Sequence, residues 1–499
     1  MTSRFPLAPW LFGLAAATVL VGCPGGSTAD IRFKQEFHFN GKSDDSFGVP
    51  GGVPIEIWGM VGGTFRTVDV KNRGGGLLQG VEVPEGKLYF RNGGRWIITD
   101  AREVVWHQHV WGRKDQADTP QGTLVETAMT GLAPWSREEG ALHQLNVWAS
   151  GNGYAFPVDN QAIDANAESA TVTLRDLKFE TDGLNAYLPA LNGAAGDSLH
   201  LAQVLATHLT DASETVAFED SWSVAVLRGA ILKDGLALPD GVRPGEPQLS
   251  LSATLTPGNL RELEVDLRGN GFDEVVASAD GALSGEHAVT RILIRPDLLG
   301  GLARTEAGSL PFALSASART PEPGAPTARL TWSDAATAGP ALHVAYGRMY
   351  LSQGLQVEAG TVTALDPAAT TLDVAPLVGA PGVIHLDNAP ITEGMNVTSP
   401  SPLVSWSAPS VGTAHGYEVR IVRRNATGEI RSEALLTRET QVRLPPAFLS
   451  QDAEKTFTFA IVVTALHDAA EGFPETRQQP KVPFGYAARA TAFFTSGQQ

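Results

Sequence analysis

Apolar and polar positions alternate with period two along most of the chain. Ile31, Phe33, Phe37 and Phe39 alternate with Arg32, Lys34, Glu36 and His38. This is the pattern of a strand with one face on a core and the other in water. Further strands are predicted at Pro54–Met60, Thr64–Val70, Lys87–Phe90, Arg95–Thr99, Leu124–Met129 and Leu142–Trp148, cut by Gly-Gly pairs and by Gly74-Gly75-Gly76. Thr171–Phe179 and Ser221–Leu227 read the same way, as do Leu249/Leu251, Leu263/Val265, Leu330/Trp332, Val344/Tyr346 and Leu372/Val374. One stretch differs: Leu201, Val204, Leu205 and His208 fit three-to-four spacing and predict a short helix. With 53 glycines and 32 prolines in 499 residues, turn signals are frequent. Together these predict an all-β chain of several β-sandwich, immunoglobulin-like domains.

A length of 499 residues bounds the chain at about three or four domains. Linker-like stretches at Leu238–Pro247 and Leu377–Gly382 help divide it. The expected units are a signal peptide (1–22), a tether (23–30), β-rich domains at 31–165, 166–245 and 246–376, and a last domain at 385–499. The 166–245 unit is a candidate repeat. Gly131-Leu132, Trp135 and Leu142-His143 return as Gly183-Leu184, Tyr187 and Leu199-His200 at unequal offsets.

The last domain carries a resemblance. Pro402-Leu403-Val404-Ser405-Trp406 followed by Pro409, then Gly416–Ile421, Thr440–Leu449, Thr456–Ala465 and Ala487–Phe494, resemble successive strands of the fibronectin type III family. The resemblance covers about a fifth of the chain. It implies a domain that folds from about residue 385, with Trp406, Tyr417, Phe459 and Ile461 inward. Phe457 stands where that family has a corner tyrosine. The family is chiefly a spacer and interaction module and implies no catalytic residue.

A second resemblance lies at the start. Arg4 precedes an apolar run from Trp10 to Val21, too short to span a membrane, and the run ends in Leu20-Val21-Gly22-Cys23. These four residues resemble a bacterial lipobox. The resemblance implies cleavage before Cys23, diacylglycerol thioether-linked to its sulfur, palmitate on the same residue, and delivery to the cell envelope as an outer-membrane lipoprotein. Stable anchoring takes more than one acyl chain, and this class supplies two or three on one cysteine. Cys23 is the only cysteine, so the domains hold by burial alone. The net charge of −17 argues against nucleic acid or anionic lipid as an electrostatic partner.

Three candidates for chemistry remain. Gly196-Asp197-Ser198-Leu199 matches the nucleophile block of the Gly-Asp-Ser-Leu hydrolases, but Leu191–Ala195 is too small and polar for the strand that presents such a serine. The sole Asp-x-x-His spacing, Asp197 to His200, lies inside the same block, so Ser198 has no separate base. His107 and His109 share one strand face, yet a metal site needs a third ligand and an outer shell. Six tryptophans between Trp58 and Trp148 serve either as core or as a glycan-stacking platform. No catalytic, cofactor or metal residue is therefore assigned, and Cys23 is the one site residue. The expected function is a non-enzymatic envelope scaffold, binding or adhesion protein. Its partners are the membrane, through Cys23, and protein or glycan, with no cofactor. The alternative is a secreted hydrolase of envelope polymers or esters.

Overall fold

The computed structural model describes residues 28–39, 42–48, 56–74, 77–92, 94–110, 125–134, 141–149, 154–158, 172–177, 199–208, 222–232, 249–257, 260–266, 288–296, 315–317, 327–333, 342–352, 355–366, 368–450, 457–467, 474 and 483–497. Among these the fold is all β and built of sandwich-like layers, and the one helical turn is a 3-10 turn at Pro446–Phe448.

The first strands are β1 (Thr28–Phe39), β2 (Lys42–Gly48), β3 (Glu56–Val61), β4 (Thr64–Thr67), β5 (Asp69–Gly74), β6 (Leu77–Val81), β7 (Leu88–Asn92), β8 (Arg95–Thr99) and β9 (Glu103–Val110). β1 pairs antiparallel with β2 and β6 and parallel with β9, while β5 closes on β6. β4, β3, β7 and β8 form a second antiparallel set. Gly62 and Gly63, both at positive φ, make the tight β3–β4 turn that side chains would strain. The two sets pack through Ile31, Phe33, Ile57, Leu88, Phe90 and Ile97, with the Phe33 and Phe90 rings 6.4 Å apart.

The middle strands are β10 (Val125–Thr130), β11 (Ala141–Ala149), β12 (Tyr154–Val158), β13 (Val172–Leu177), β14 (Leu199–His208), β15 (Trp222–Leu232), β16 (Leu249–Thr254), β17 (Leu260–Asp266), β18 (Ala288–Pro296), β19 (Ser315–Ser317), β20 (Thr327–Ser333), β21 (Leu342–Ser352), β22 (Leu355–Leu365) and β23 (Thr371–Asp373). The helix expected around Leu201–His208 is instead the long strand β14. It is hydrogen-bonded on both edges, to β11 and to β15. Leu201 and Gln203, two apart, are both buried, which is strand periodicity. Leu201 and Leu205, four apart, share a face in either period, and pairing on two sides decides it. The Gln203 amide takes both backbone groups of Ala133, at 2.7 and 2.9 Å, so burying it leaves nothing unpaired.

The last strands are β24 (His385–Leu386), β25 (Ala389–Pro390), β26 (Asn396–Val397), β27 (Leu403–Ser405), β28 (Gly416–Asn425), β29 (Ile430–Thr437), β30 (Gln441–Arg443), β31 (Phe457–His467), β32 (Phe484–Ala490) and β33 (Phe494–Ser496). One sheet runs β25-β24-β27-β30 and the other β29-β28-β31-β32. This is the fibronectin type III-like sandwich that the resemblance implies, with β29 added to the expected strands. Trp406, Tyr417, Val419, Ile421, Phe459 and Ile461 fill it, and the Trp406 and Tyr417 rings meet edge-on at 5.2 Å.

The sandwich is not hydrogen-bonded only to itself. β29 pairs parallel with β8, and β32 pairs antiparallel with β22. One ladder therefore runs β4-β3-β7-β8-β29-β28-β31-β32-β22-β21-β18-β19-β15-β14-β11-β12, within a sheet of 18 strands. Both outer strands of the terminal sheet are thereby paired, which removes the exposed edges that template aggregation.

Candidate functional site

The strands β7 and β8 are apolar on both faces, and this builds the contact with the terminal sandwich. Leu88, Phe90 and Ile97 point into the N-terminal core. Tyr89, Trp96 and Ile98 point the other way and join the core of the terminal sandwich, with Phe65. Trp96 is 1% exposed and lies 5.1 Å, centroid to centroid, from Phe448.

Polar groups ring this contact. The Glu433 carboxylate on β29 accepts the Trp96 indole N–H at 2.9 Å and an Arg423 N–H at 3.2 Å. Arg91 lies 3.7 Å from the same carboxylate, 3.2 Å from Glu56, and 5.2 Å over the Trp96 ring. Lys87 pairs with Glu439. The Tyr89 hydroxyl donates to the Arg443 carbonyl at 3.1 Å. Burial raises the Tyr89 phenol well above its usual range, so the hydroxyl stays a neutral donor.

A cleft of about 250 Å³ opens beside these groups, with Met60, Tyr89, Ile98, Leu403 and Val442 as apolar lining and Glu85, Lys87, Gln441 and Arg443 as polar lining. Its cations have protein partners. Lys87 has Glu439, and the Arg443 guanidinium donates to the Ser401 carbonyl at 2.8 Å. Such an arrangement holds two units together. It presents no nucleophile paired with a base.

Of the residues singled out from sequence, only Trp58 and Trp96 fall at this contact. Cys23 and Ser198 lie outside the described residues. His107 and His109 sit on β9, opposite Glu36 and His38 of β1, and their side chains lie outside the described set. Of the six tryptophans, Trp96 is buried and Trp58 packs partly buried against the same core, so these two act as core. Trp106 and Trp148 lie on β9 and β11 with side chains outside the described set, as are Trp111 and Trp135 altogether. Among the described residues no three His, Cys, Asp or Glu side chains gather to hold a metal ion. No helix among them is long and apolar enough to cross a membrane. Sequence reasoning missed Tyr89 and Glu433, and it did not foresee that Trp96, one of the six tryptophans, joins Glu433 across 337 residues of chain. One signal was present: Leu88-Tyr89-Phe90 and Trp96-Ile97-Ile98 are unbroken apolar runs, the mark of strands buried on both faces.

No protein-family model matches this chain, and no curated protein does. Among solved structures it is similar to the FN1–FN3 domains of chicken CNTN1, at 10% identity and TM-score 0.14, over 74% of this chain and 99% of that one. A stretch of titin domains matches at 8% identity and TM-score 0.15, over 75% and 98%. Trypsin-activated alpha-2-macroglobulin from Escherichia coli matches at 11% identity and TM-score 0.15, over 90% and 28%. Overlays this loose carry no argument, and the sandwich assignment rests on strand pairing.

Proposed function

We propose that the chain is a lipid-anchored scaffold or binding protein of the bacterial cell envelope, held at the outer membrane through Cys23. The observation that carries the scaffold reading is the single ladder from β4 to β12. A sheet hydrogen-bonded through every unit transmits load and fixes spacing, where separate modules on flexible linkers would not. The Leu20–Cys23 stretch supports the anchor, and the interaction partners are protein or glycan. Fractionating cells that express wild type or Cys23→Ser tests the anchor. The wild type is expected in the membrane with an acyl mass on its N-terminal peptide, and the variant in the soluble fraction. Equal membrane retention without an acyl mass refutes anchoring. Ester and glycan hydrolysis, assayed for wild type and Ser198→Ala, tests the scaffold reading. Serine-dependent turnover would replace it with the hydrolase.

A further inference from the structure

At one end of the terminal sandwich, two histidines from neighbouring strands lie side by side. His415 immediately precedes β28, and its backbone N–H bonds the Leu466 carbonyl at 2.8 Å. His467 ends β31. The β28–β31 ladder thus sets the two side chains adjacent, with ring centroids 4.8 Å apart and planes tilted by 33°. His467 Nδ1 lies 3.0 Å from the Thr413 carbonyl oxygen. A carbonyl can only accept, so Nδ1 carries the proton and, in the neutral ring, Nε2 carries the lone pair.

We propose that His415 and His467 form a surface site for a divalent transition-metal ion of the zinc or copper class. A metal-binding histidine characteristically donates its second ring N–H to a carbonyl or carboxylate, which fixes the tautomer and the ring orientation. His467 has that arrangement already, through Thr413. Two metal–nitrogen bonds of about 2.1 Å at the tetrahedral angle place their nitrogens roughly 3.4 Å apart, and the two ring centroids stand 4.8 Å apart. The two imidazoles fill two positions and water the rest, so this is a weak surface site and not the three- or four-ligand kind that a structural or catalytic metal takes. His415 is exposed and His467 half-buried, so the ion enters from solvent without opening the fold. Copper(II) binds more tightly than zinc at such a nitrogen site.

The test uses the full chain, titrated with CuCl2 and with ZnCl2 by isothermal calorimetry. Wild type is compared with His415→Ala, His467→Ala, the double variant, and His467→Asn, which keeps a donor for Thr413 but removes the imidazole. The chain has 11 histidines, so the reading is the class of site lost, not binding in total. Each variant is expected to lose one equivalent, or to weaken it at least tenfold. Electron paramagnetic resonance of the copper form is expected to show two coupled imidazole nitrogens in wild type and one in either alanine variant. Equal stoichiometry and affinity in wild type and the double variant overturns the site. So does loss in only one of the two alanine variants, or full binding by His467→Asn.

Discussion

Replacing Trp96 with alanine tests whether the terminal sandwich and the N-terminal strands share one core. Trp96 is 1% exposed and touches Phe448 of the sandwich and Trp58 of β3. Emptying a buried aromatic site costs about 3–5 kcal/mol, through lost transfer energy and the cavity left behind. Two smaller losses add to this. Glu433 loses the indole donor, but its side chain is 21% exposed and water partly replaces the bond, so that loss is held to about 0.5–1 kcal/mol. Arg91 loses the ring beneath its guanidinium, worth about 0.5–1 kcal/mol at a partly exposed position. Terms that share partners do not add fully, so the expected cost is about 4 kcal/mol. Hydrogen exchange of the full chain reads where this falls, with β14 and β15 as an internal reference. At 1.4 kcal/mol per decade, exchange should accelerate by roughly a thousandfold. It should do so together in Leu88–Thr99 and in Ile430–Thr437. If the N-terminal strands loosen while the amides of β28 and β29 keep their protection, the shared core is refuted.

Other substitutions separate the contributions. Trp406→Ala should cost about 3–5 kcal/mol in chemical denaturation. Trp406→Phe should cost clearly less, because phenylalanine keeps most of the ring volume that alanine leaves empty; equal costs would show that ring volume is not what matters. Gly412 has φ +66°, and an added Cβ would lie 2.0 Å from the Leu377 carbonyl oxygen, so Gly412→Ala should destabilise by at least about 2 kcal/mol, and a neutral effect would contradict that packing. Tyr89 has a raised folded-state pKa, so the stability it contributes is full below its unfolded value of about 10 and is lost as pH rises toward the folded one. Tyr89→Phe should therefore cost about 1 kcal/mol at neutral pH and flatten the alkaline fall in stability, and an unchanged alkaline profile would remove Tyr89 from that role.

Strand content was legible because alternation is local. A residue and its second neighbour share a face, and the chain from Ile31 to Phe39 declares this without reference to any partner. The inner set of the terminal sandwich, Trp406, Tyr417, Phe459 and Ile461, was legible for the same reason, helped by the spacing of the family it resembles. The proposed anchor at Leu20–Cys23 rests on the sequence alone. What tertiary structure decided is partnership. Leu201 and Leu205 share a face at helix and strand spacing alike, and β11 and β15 on either side make the stretch a strand. Tyr89 and Trp96 carry no mark that their second apolar face meets β29 and Phe448 rather than a neighbour in their own unit. Lys87, Glu433 and Glu439 read as ordinary surface charges until the fold brings them together. Period and turn chemistry are set by bonds between adjacent residues. The choice of which buried face meets which depends on competition among all the faces, and that is settled only when the chain closes on itself.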